Sequence, residues 1–324
     1  MECQFATTPY GLATRPLRQP FAYLTQPDYG VNEMRWDHGD NRMGGRMRIG
    51  CSTITFGPQS IEEAFERIAD LGFRVIDLSA VPGVFDHVNL IDPPAEEIGR
   101  IASLVDRYGF EVAGLLSVPW IPDALDDAVE LRRRYTFAAD VAKAVGARAW
   151  VVDGNRPDTP DASGRAKGLE RFRRTITMAA DLAHERGIAI AIEAPHGGTL
   201  AETLPEAIEL LEVADIPELG IDFDTSHVLN SGATTSEMLD AIGDRVIHVA
   251  LRDARVGGHA CTPGDGDVDF AELFRLLITT GYNGDVLLEL EPAAEDASAE
   301  ERGREAVRAR GYLEPLLVAA GNQD

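Results

Sequence analysis

Residues 48–80 read RIGCSTITFGPQSIEEAFERIADLGFRVIDLSA. An apolar, β-branched run (48–56) is followed by an amphipathic helical pattern, IEEAFERIADLG, and by a second strand-like run (74–80), with Gly72 as the helix stop. Alternation of this kind argues for a parallel sheet built from βα units. A doubly wound dinucleotide-binding sheet would place a Gly-rich phosphate turn after the first strand. Residues 50–60, GCSTITFGPQS, contain no G-x-G-x-x-G.

The same unit recurs along the chain. Further strand candidates are 111–118, 147–153, 188–194, 219–225, 246–253 and 285–291, which makes eight. Gly109, Gly146, Gly187 and Gly281 stand at or near the ends of the intervening helical patterns, and a last helix, AEERGREAVRARGYLEPLLVAAG, follows the eighth strand. The expectation is an α/β fold, a single (β/α)8 TIM barrel over residues 47–321. Residues 1–46 are rich in Pro, Gly, Asn and Asp without a sustained period, and read as an irregular N-terminal extension, with a functional lid as the rival reading. They lack the apolar stretch of a signal peptide.

Composition narrows the function classes. With 54 Asp and Glu against 30 Lys and Arg, the formal charge is -24. That balance excludes nucleic acid and anionic membranes as expected partners, because phosphate binding needs clustered cations. The three cysteines, Cys3, Cys51 and Cys261, are widely spaced with no C-x-x-C, so no disulfide framework or zinc ribbon is indicated. A cytoplasmic protein, without a membrane span and with a homo-oligomer as an open option, is the expectation.

In a barrel the chemistry collects at the C-terminal ends of the strands. Glu193 and His196 end the fifth strand; Asp222, Asp224 and His227 the sixth; His248, Asp253 and Arg255 belong to the seventh, VIHVALRDAR (246–255); Glu289 and Glu291 end the eighth. Carboxylates on apolar strands need a compensating cation, since an unpaired buried charge costs several kcal/mol. One divalent ion among Glu193, Asp224 and Glu289 would satisfy all three, and an oxygen-rich sphere favours Mn²⁺ or Mg²⁺. Asp77 on the second strand, His196, His227, Arg255 and Trp120 are candidates for contact with substrate. His248 reads as a hydrogen-bonded histidine one layer deeper in the barrel, and Asp222, two residues before Asp224 on the same strand, as a supporting partner.

Four strings carry a resemblance: Glu193-x-x-His196, DTSH (224–227), HVALRDAR (248–255), and TPGDGDVDF (262–270) with GYNGDVLLE (281–289). In this order the chain resembles the xylose isomerase-like barrel superfamily, which holds sugar epimerases, hydroxypyruvate isomerase, inosose isomerases and dehydratases, and endonuclease IV. The resemblance implies a divalent metal held by Glu193, Asp224, a residue of the seventh strand, and Glu289. It implies that Glu193 and Glu289 double as acid and base on a sugar or polyol ketone, through an enediolate. Isomerisation or epimerisation is the leading expectation, dehydration of an inosose or dehydroshikimate type the alternative, and a metal-free binding or assembly subunit the third.

One position departs from the pattern. The superfamily's seventh strand is usually H-x-H-x-K-D with the second histidine as ligand, and counting back from Asp253 puts that ligand at Ala250. His259 in the following loop, His227, or three carboxylates with water could fill in; or no metal is held.

Overall fold

The computed structural model describes residues 47–119, 127–290 and 297–321. The extension 1–46, Trp120 and Glu291 lie outside the described residues. Eight parallel strands close into a barrel: β1 (Ile49–Ser52), β2 (Val75–Ala80), β3 (Glu111–Ser117), β4 (Ala149–Asp153), β5 (Ala189–Glu193), β6 (Gly220–Asp224), β7 (Val246–Leu251) and β8 (Val286–Leu288). Each strand pairs with its sequence neighbours, and β8 returns to β1 through Ile49 beside Val286 and Cys51 beside Leu288.

The helices described are α1 (Ile61–Asp70), α2 (Glu97–Tyr108), α3 (Ala128–Ala144), α4 (Ala162–Arg186), α5 (Leu204–Ala214), α6 (Thr225–Asn230), α7 (Thr235–Ile242), α8 (Phe270–Thr279) and α9 (Ala299–Ala320). α1 shows why they form where they do. Ser60 and Glu63 make a reciprocal capping box, and Ile61, Ala64, Phe65 and Ile68 are buried on one stripe. Phe65 then meets Phe110 edge-on at 5.1 Å between ring centroids. Gly72, Gly109, Gly146, Gly187 and Gly281 all have positive φ, as the helix stops require.

Three boundaries differ from the sequence reading. β1 ends at Ser52, whose hydroxyl accepts from the Ile54 amide and starts a 3-10 turn over Thr53–Phe56. The sixth βα connection carries the extra short helix α6, which begins directly at the strand end. The seventh strand stops at Leu251, and Asp253–Ala254 instead pairs antiparallel with Ala260–Cys261. Arg252 therefore stands at a break between two strands.

The N-terminal mouth of the barrel is closed by alternating charges. Arg48 and Arg148 both bond Asp285 (2.8 and 2.7 Å) and both bond Glu111 (2.6 and 3.0 Å). Cys51 and Cys261 are free thiols. Among the described residues no helix is long and apolar enough to cross a membrane.

Candidate functional site

The C-terminal ends of β5 to β8 bring Glu193, Asp224, Arg252 and Glu289 together, each at most 6% exposed. β6 and β7 pair with Asp224 beside Ala250, so the methyl group at 250 faces the carboxylate across the ladder. Two residues further on, the Arg252 side chain enters the space. Its Nε and Nη2 donate to Asp224 Oδ2 at 2.9 and 2.6 Å, and its Nη1 lies 3.4 Å from Glu289 Oε1. The guanidinium thus bridges two of the three carboxylates.

Asp224 is fully engaged. It is the N-cap of α6: Oδ1 accepts from the Ser226 amide (2.8 Å), the Ser226 hydroxyl (2.7 Å) and the His227 amide (3.0 Å), while Oδ2 takes both bonds from Arg252. The DTSH string encodes this cap. Burial alone would raise the Asp224 carboxyl, but Arg252, His227 and the cap bonds outweigh it and hold the group well below the usual carboxylate range.

The two glutamates go the other way. Burial pushes Glu193 well above its ordinary value, and the charges of Asp222 and Asp224 add to the shift. Glu289 is likewise raised by burial and by Asp224 and Glu193, against the pull of Arg252. Three carboxylates around one guanidinium cannot all ionise cheaply, so the two glutamates bind a proton more tightly than Asp224 does.

His227, on α6, lies with Nε2 3.5 Å from Glu193 Oε1 and 2.7 Å from Arg252 Nη2. Arginine can only donate, so His227 Nε2 accepts, which requires the neutral imidazole with its proton on Nδ1. Burial and the neighbouring Arg252 accordingly push its pKa down to about 3. His196, in the loop after β5, packs against it at 3.9 Å between ring centroids and points Nδ1 at the Gly197 carbonyl (2.7 Å). That leaves its Nε2 free for substrate or metal.

Beneath this layer lies a second one. His248 Nδ1 meets Asp222 Oδ1 at 2.8 Å, and Nε2 lies 3.0 Å from Asp77 Oδ2. All three side chains are buried, and the opposing strand β3 carries Gly114, where a Cβ would stand 2.9 Å from the His248 ring. Burial opposes a charged imidazole here, but the two aspartates overcome it and raise His248 well above its ordinary value. Asp77 therefore meets His248 within the barrel.

The remaining candidates stand apart. His259 and Arg255 are exposed in the segment after β7. His259 is not in the cluster, so the side chain that takes the place left at 250 is Arg252. Arginine in the position of the pattern's lysine was the available signal.

A metal at the four-strand position does not fit these residues. Ala250 offers no donor, and Asp224 already accepts five bonds where a carboxylate presents about four lone-pair directions. A divalent ion there would also lie against the guanidinium. Glu193, His196 and His227 form a separate group whose ligand atoms lie within 4.8 Å of one another and could hold a metal ion.

Comparison with known proteins agrees with this architecture. The sequence profile described as "xylose isomerase-like TIM barrel" matches residues 65–310. An inosose dehydratase of Geobacillus kaustophilus (strain HTA426) is 29% identical over 308 residues, covering 83% of this chain and 94% of that protein. Among solved structures, the IOLI protein with a bound zinc atom superposes with a TM-score of 0.68 at 16% identity, covering 83% of this chain and 99% of that one. A D-tagatose 3-epimerase-like protein does so at 0.67 and 20%, covering 86% and 99%. The two structural likenesses carry the fold. The profile match spans most of the barrel, and the chain belongs to the xylose isomerase-like TIM barrel family.

Proposed function

We propose that the protein is an enzyme that moves a proton at the carbon next to the carbonyl of a polyhydroxy ketone, and that it completes the reaction by expelling a β-hydroxyl as water. The observation that carries this reading is the pair of buried glutamates, Glu193 and Glu289, with raised proton affinity beside a fixed positive charge. Glu289, nearer to Arg252, ionises first and serves as the base. Glu193 keeps its proton and donates it to the departing hydroxyl. Positive charge at Arg252 favours the enediolate that forms between these steps. His196 Nε2 and His227 Nδ1 are suited to hold substrate hydroxyls.

Dehydration is preferred over epimerisation because the inosose dehydratase resembles this chain along most of both lengths, which makes a cyclic polyol ketone the first substrate class to try. Epimerisation would use the same two glutamates, with Glu193 returning the proton to carbon from the other side. Mn²⁺ or Mg²⁺ is not required by this reading. An ion on Glu193, His196 and His227 would have imidazole donors, which suit Zn²⁺ better.

The test is incubation with a panel of keto-inositols and ketoses in deuterated water, followed by NMR. Exchange at the α-carbon with loss of water is expected, and Glu289→Gln should slow it on the order of 10²–10⁴-fold. The rate should rise with pH through a value above the ordinary carboxylate range. Absence of exchange in every ketone, or full activity in Glu289→Gln, would sink the reading.

A further inference from the structure

We infer that Arg252 is the resident cation of this barrel: its guanidinium stands where a divalent ion would be ligated if position 250 carried a histidine, and the chain binds no divalent ion through Asp224 and Glu289. This deepens the proton-transfer reading, and rests on it only for what the charge is used for. The occupancy itself follows from geometry.

Three observations converge. Ala250 is buried beside Asp224 in the β6–β7 ladder, so the ligand position is filled by a methyl group. Arg252, next on the inner face, closes both bonds on Asp224 Oδ2 and reaches Glu289. Its backbone is clamped as well: the Arg252 amide donates to Thr225 Oγ1 at 2.9 Å, and the Thr225 hydroxyl donates back to the Arg252 carbonyl. A long side chain tied at both ends loses little further entropy on meeting an oxyanion, and a guanidinium cannot be deprotonated. It can stabilise an enediolate by charge and hydrogen bonds, where a metal would act by coordination.

The experiment is equilibrium dialysis of the full chain against Mn²⁺ and, in parallel, Zn²⁺, with elemental analysis of wild type, Glu289→Gln and the double variant Ala250→His/Arg252→Met. Wild type is expected to take up no Mn²⁺, and the double variant one equivalent. Zn²⁺ uptake that Glu289→Gln leaves intact belongs to the Glu193, His196 and His227 group and agrees with the inference. An equivalent of either ion that wild type holds and Glu289→Gln loses overturns it. So does a folded double variant that binds no Mn²⁺, because the carboxylates would then not be a metal position that arginine has taken. Should the double variant not fold, the comparison of wild type with Glu289→Gln decides alone. None of these measurements uses a substrate, so failure here and failure of the exchange experiment are separate results.

Discussion

At residue scale the site is governed by where charge is fixed and where it can move. Asp224 and Arg252 are locked to each other, while burial raises the proton affinity of Glu193 and Glu289. Because both glutamates are raised, the folded chain binds their protons more tightly than the unfolded chain. Their effect on stability is therefore most favourable below the ordinary carboxylate range and declines as pH rises through it toward the raised values. Glu289→Gln removes the Glu289 share of that decline, and its melting temperature at neutral pH should exceed that of wild type even as the proposed exchange activity is lost. A lower melting temperature would show that the ionised carboxylate stabilises the fold. His248 has the opposite chemistry. Its stabilising charge is fully present below the unfolded value of an ordinary histidine and is lost only as pH rises through the raised folded value. His248→Leu would leave Asp77 and Asp222 buried without their shared partner, at a cost of roughly 3–5 kcal/mol measured by urea unfolding.

At the scale of elements, short polar residues decide how strands end. Thr225, the first residue of α6, bonds the backbone of Arg252 just past the end of β7, so one hydroxyl couples the two segments. Thr225→Val keeps the shape and removes the hydroxyl. It should cost about 1–3 kcal/mol in denaturant unfolding, because a buried amide loses its acceptor. Asp253 does comparable work for the loop that follows. Its carboxylate accepts from the amides of Gly264 and Gly266 on Oδ2 and of Ala254 and Val268 on Oδ1, which explains the acidic residue beside the glycine-rich TPGDGD string. Gly266 is required there, since a Cβ would stand 2.3 Å from Asp253 Oδ1. Ser60→Ala, by contrast, removes one exposed cap and should cost only ~1 kcal/mol.

For the whole molecule the dominant electrostatic fact is a net charge of -24. Self-repulsion on that scale opposes the compact state, while the ring of Arg48, Glu111, Arg148 and Asp285 is half-exposed in three of its four members. Salt screens both, shortening the Debye length from about 30 Å at 0.01 M to about 3 Å at 1 M. Repulsion is the larger effect here, so the melting temperature measured by calorimetry should rise across that range of NaCl. A fall would mean that the ion-pair ring outweighs the net charge.

Eight strands, the helices between them, the glycine stops and the acidic residues at the strand ends were all legible in the chain, because period-two and 3.6-residue patterns, caps and positive-φ glycines are local properties. The gap at Ala250 was legible too, counted from Asp253. Which group fills it was not. Arg252 meets Asp224 and Glu289 only after β6, β7 and β8 are brought into register, and His248 finds Asp77 only across the barrel's interior. A sequence pattern specifies which face a side chain leaves the backbone from. How far a flexible arginine reaches, and which carboxylates it then neutralises, is decided by contacts between strands far apart in the chain, and so only by the closed barrel.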